Sequence, residues 1–201
     1  MNWEQAKNLP IGHVWHHLDL WKHFAAIAGG VAYPGKRPGF AVVAGLRPVE
    51  NERYHEISVL DEAESSDLGE LLHLCHSLIP KYHELPDRRF GWFGDWENTA
   101  AQTLIRDVNG AAGAPRSTDL DIQSSPVLDM EAPYPFIVAR IHGYTLDKQK
   151  MLHLRNGLLE SRLRELPLDG LSELPFGSYP AAEALAFVVE GLREEAQRLW
   201  N

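Results

Sequence analysis

A single cysteine, Cys75, stands in the 201 residues, which excludes an internal disulfide and any multi-cysteine zinc site. No apolar run approaches the roughly 18 to 20 residues that a membrane-spanning helix requires. The opening MNWEQAKNLP also lacks the basic-then-apolar order of a secretory signal. The expectation is therefore a cytoplasmic protein with no membrane partner. There is no H-E-x-x-H pattern for a zinc protease and no G-x-S-x-G elbow for a serine hydrolase. Positive charge is also scarce: 19 Lys and Arg face 28 Asp and Glu, a formal charge of −9. Such a field repels phosphate, so a nucleic-acid role needs a local basic patch.

What is present is ordinary globular material, 44% hydrophobic and 23% charged. The length suits one domain with a full core, read as a helical lead-in over residues 1–30 and a main body over 31–201. Ile11, Val14, Leu18, Trp21, Ala25 and Ala28 recur at helical spacing and predict an amino-terminal helix ended by Gly29 and Gly30. The run FAVVAGL at 40–46 predicts a buried strand, and the alternation over 54–60 predicts a second strand paired with it. The acidic stretch 61–67 is expected to leave the sheet. Leu68, Leu71, Leu72, Cys75, Leu78, Ile79 and Tyr82 form one helical stripe.

RFGWFG at 89–94 predicts a short strand delivering Asp95 at its end, followed by a helix over 99–108. A strand around 120–123, another over 136–141 and a helix over 145–166 complete the middle of the chain. Pro180 opens a closing helix with Leu185, Val188, Val189, Leu192, Ala196 and Leu199 on one stripe. Strands interleaved with helices indicate the α/β class.

Three segments carry a resemblance to a known family. They are AYPG at 32–35 with the two strands after it, FGDWENTAAQTLIRDVNG at 93–110, and YPAAEALAFVVE at 179–190. Together they resemble the RNase H-like nuclease domain of phage terminase large subunits, across roughly residues 31 to 195. The resemblance implies a mixed sheet flanked by helices, Mg or Mn as cofactor, and double-stranded DNA as substrate. It also implies a separate packaging ATPase or a phage structural protein as partner, because the motor's G-x-x-x-x-G-K-[ST] loop does not occur here. Asp95 takes the place of the family's second metal-binding acid. Tyr33 stands where the first Asp would be, and Pro180 and Ala181 stand where an acidic pair would be.

Cleaving a phosphodiester with two hard cations requires several converging carboxylates. Asp95 is the candidate metal ligand, and Glu62, Glu97 and Glu183, with Asp61 as a further neighbour, are the acids that could close in as catalytic groups. Two of them have a structural alternative: Asp95 as a turn or helix-cap residue, and Glu183, projecting away from Leu185 on a helical wheel, as a solvated surface acid. Lys148, Lys150, Arg155, Arg162 and Arg164 form the candidate nucleic-acid patch, or else a solvated helix face. The ten histidines, His13, His16, His17 and His23 among them, offer only helical spacings, and solvent-facing positions are expected, also for His73 and His76.

Three functions follow. One is a terminase-like nuclease domain of a phage or prophage, linked to DNA packaging, catalytically impaired and acting as a DNA- or protein-interaction module. The others are an active Mg- or Mn-dependent endonuclease with a rearranged acidic site, and a scaffold with no nucleic-acid role.

Overall fold

The computed structural model describes residues 23–48, 55–82, 90–112, 119–129, 133–146, 150–154, 157–167 and 169–200. Three strands come first, β1 (Ala26–Ala32), β2 (Gly39–Pro48) and β3 (His55–Ser65), then helix α1 (Leu68–Tyr82). β4 (Trp92–Gly94), α2 (Thr99–Ala112), β5 (Ile122–Ser124), α3 (Pro133–Leu146), β6 (Lys150–His153), α4 (Leu158–Leu163) and α5 (Pro180–Trp200) follow. One six-stranded sheet has the order β5-β4-β1-β2-β3-β6. The β1–β2 and β2–β3 pairs are antiparallel, while β1–β4, β4–β5 and β3–β6 are parallel. The chain is thus α/β, a mixed sheet flanked by helices, as an RNase H-like fold requires.

β2 shows why an unbroken apolar run became a central strand. Phe40, Val42, Ala44 and Leu46 point into a core shared with α3, α4 and α5, and Ala41 and Val43 into a second core under α1 and α2. A strand buried on both faces has no polar side to alternate with. α5 is buried on every side from Pro180 to Leu192, because the sheet covers one flank and α3, α4 and the 171–179 segment cover the others.

Several expectations fail for physical reasons. The helical spacing that ran to Ala28 does not hold there, since Ala26–Ala32 is strand β1, and residues 1–22 lie outside those described. Gly29 and Gly30 do not end a helix. A Cβ on Gly30 would sit 2.0 Å from the Ala184 carbonyl oxygen of α5, and one on Gly29 would sit 2.3 Å from the Trp92 ring on the opposite face. The glycines let two layers close on β1 from both sides. β1 also takes in residues on both sides of position 30, where lead-in and main body were divided.

Residues 136–141 are helix within α3, not strand: Pro133 opens it, and Tyr134, Ile137 and Ile141 line its inner face. The expected helix over 145–166 is instead the end of α3, strand β6 and the short α4. The acids after Leu60 stay in the sheet, because β3 runs on to Ser65 opposite Gly39. α1 matches its expected bounds, with Asp67 Oδ1 accepting a 2.7 Å bond from Glu70 N in its first turn.

Candidate functional site

The carboxyl ends of β1 and β4 lie side by side, Val31 opposite Gly94, and the chain continues from them to Tyr33 and Asp95. The pattern that placed a strand before Asp95 is what brings these two residues to one rim. Tyr33 packs against the α1 core, and its hydroxyl is buried without a hydrogen-bond partner among the described residues. Burial first, then the Asp95 carboxylate and then Cys75, push the phenol far above its ordinary ionisation range. It is a neutral group and a poor ligand for a hard cation.

Asp95 works on its own backbone. Its Oδ1 accepts a 3.1 Å bond from Glu97 N, closing the turn that leads into α2. The cap of α2 is Asn98, whose Oδ1 accepts from Ala101 N at 3.0 Å. Glu97 and Trp96 are exposed, the indole at 48%.

Glu183 overturns its expectation as a surface acid, being 3% exposed. Its Oε1 accepts a hydrogen bond from the Tyr134 hydroxyl of α3 and a 2.8 Å bond from Gly177 N. The Tyr134 oxygen accepts in turn from Tyr179 N at 2.6 Å. Burial raises the Glu183 pKa, and the donors from Tyr134 and from the Gly177 and Tyr179 backbone oppose that rise. The helical wheel misplaced Glu183 because it assumed one buried stripe, whereas α5 has none exposed at this level. Ala181 is likewise buried and supplies no donor.

Glu62 sits on β3, with β2 between it and β1. Both its oxygens accept from the first turn of α4, Oε1 from Leu158 N and Oε2 from Leu159 N at 2.9 Å. Its neighbour Asp61 accepts from Lys81 and from the Tyr82 hydroxyl. The structure therefore brings Tyr33 and Asp95 to one rim of the sheet, with Tyr33 packed on the α1 side. It puts Ala181 in the core on the opposite side and Glu62 two strands away. Among the described residues no three His, Cys, Asp or Glu gather as a metal site. One carboxylate beside a phenol does not fit the Mg or Mn pair that the resemblance implies.

The basic run is dispersed. Lys148 and Arg155 lie outside the described residues, and Lys150 pairs through β6 with His55 of β3. Arg162 bonds Glu64 twice and Glu165 once, each at 2.8 Å, and Arg164 bonds Glu160 at 2.7 Å. His73 is exposed as expected, but His76 is half-buried, with Nε2 enclosed and without a hydrogen-bond partner among the described residues.

Sequence reasoning missed Tyr134, Arg37 and Tyr179. Arg37, from the Pro- and Gly-rich β1–β2 loop, lies 4.3 Å over the Tyr179 ring. Arg37 and Tyr179, with Pro38, Glu64, Arg162, Pro180 and Ala181, line a cleft of about 70 Å³ at the start of α5. No single period marks these residues, since they come from separate elements and loops distant in the chain. No protein-family model matches the chain, and no curated protein matches its sequence.

Proposed function

We propose that this is a terminase-like nuclease-type domain that has given up hydrolysis and serves as an interaction module in a DNA-packaging apparatus. Its partner would be a separate packaging ATPase chain or a phage structural protein. Support for the ancestry comes from the three resembling segments together with the strand order and pairing directions of the sheet. The observation that carries the loss of hydrolysis is the fate of the acids. Asp95, Glu62 and Glu183 each accept hydrogen bonds from backbone N–H groups of their own chain. A carboxylate engaged this way holds a turn, a helix start or a loop, and moving it onto a cation would leave those donors without an acceptor. At the position of the first family acid stands a neutral phenol.

The experiment is incubation of supercoiled plasmid with the purified chain and manganese. Plasmid should stay intact, to the same extent as with Asp95→Ala. Nicking by the parent chain that disappears in Asp95→Ala would overturn the reading in favour of a rearranged endonuclease.

A further inference from the structure

At the start of α5, two guanidinium groups from distant parts of the chain converge on one exposed carboxylate. Arg37 comes from the β1–β2 loop and Arg162 from α4. Nη1 of Arg162 meets Glu165 Oε1 at 2.8 Å, and Nη1 of Arg37 meets Oε2 of the same group. The rest of the Arg162 fork is fixed, Nε and Nη2 each lying 2.8 Å from an oxygen of Glu64. The Tyr179 ring under Arg37 restrains the other guanidinium. Both arginines also line the 70 Å³ cleft that ends on Pro180 and Ala181, the positive end of a 21-residue helix.

The geometry points to a phosphate-binding site on Arg37 and Arg162, closed at rest by Glu165 acting as a tethered anion. The two Glu165 oxygens stand where two phosphate oxygens would bridge the Nη1 groups. Glu165 lies on the exposed turn just after α4, held by exposed ion pairs that contribute little to stability, so it can swing out without unfolding anything. A phosphate with more charge and a third acceptor oxygen forms the stronger charge-assisted bonds with the same two Nη1 groups. The carboxylate in the cleft lining, Glu64, occupies Nε and Nη2 of Arg162 and leaves its Nη1 directed at Glu165. The two arginines hold the Glu165 carboxyl below the usual carboxylate range, Arg162 more than Arg37, so the tether is an anion at neutral pH. The site does not depend on the loss of hydrolysis proposed above, and plasmid nicking reads Asp95 alone.

The test is calorimetric titration of the full chain at low ionic strength with inorganic phosphate, and separately with a short single-stranded oligonucleotide. Removing the internal competitor with Glu165→Gln should tighten binding by about ten-fold, since the open fraction of the site rises. Adding Arg37→Ala to that variant should abolish the gain. Arg37→Lys, which keeps charge but not the fork, should recover only part of it. A gain with inorganic phosphate identifies a free phosphate or monoester as ligand, and a gain with the oligonucleotide alone identifies a nucleic-acid backbone. If Glu165→Gln binds neither probe more tightly than the parent, or the gain survives Arg37→Ala, the site does not exist.

Discussion

On the α5 side of the sheet, a buried carboxylate, a buried phenol and two backbone N–H groups close into one network through Glu183 and Tyr134. On the α1 side, the Tyr33 hydroxyl, the Trp92 indole N–H and His76 Nε2 are all enclosed without hydrogen-bond partners among the described residues. Both sides carry an extensive apolar cluster, and the contrast is in how these polar atoms are satisfied. An enclosed donor that meets nothing is a cost, whereas a satisfied network makes its members hard to remove. Loss of the Glu183–Tyr134 network should therefore be felt sharply, and loss of the three unpartnered atoms on the α1 side should be tolerated or even favourable.

The largest effect is expected where α5 touches β1. Gly30→Ala places a methyl group against the Ala184 carbonyl, an obstacle that cannot rotate away, and should cost about 3 kcal/mol in a denaturant titration. A loss under 1 kcal/mol would mean that the layer is looser than its contacts imply.

Glu183→Ala comes next, at about 2 kcal/mol, because it strands the Tyr134 hydroxyl and Gly177 N. Glu183→Gln separates charge from hydrogen bonding. The folded-state pKa of Glu183 is raised, chiefly by burial, so the folded chain holds that proton more tightly than the unfolded chain. Its contribution is most favourable below the usual carboxylate range and is lost as pH rises from that range through the raised value. Denaturation between pH 4 and 7 should show the parent losing stability relative to Glu183→Gln as pH rises. A constant difference would remove the argument that burial outweighs the donors.

Tyr33→Phe should be the mildest, between no change and a gain of about 1 kcal/mol, because it deletes an enclosed hydroxyl that meets no partner. Thermal denaturation of this variant beside Glu183→Ala is the direct contrast. A comparable loss in both would show that the two sides of the sheet do not differ.

The amino-acid sequence by itself determined the elements marked by a periodic stripe or by an unbroken apolar run. The α1 stripe from Leu68 to Tyr82, the two-sided apolar run of β2, and the strand just before Asp95 are local patterns, and local geometry was enough to read them. The α/β class followed from their alternation. Tertiary structure alone decided that Gly29 and Gly30 belong to a strand pressed from both faces, that Glu183 is buried, and that Glu62 holds the start of α4. The physical reason is one of range. A side chain's period along its own element fixes which way it points, but a carboxylate's role depends on which donor lies opposite. Tyr134 and Glu183, or Glu62 and Leu159, meet only after separate layers have packed.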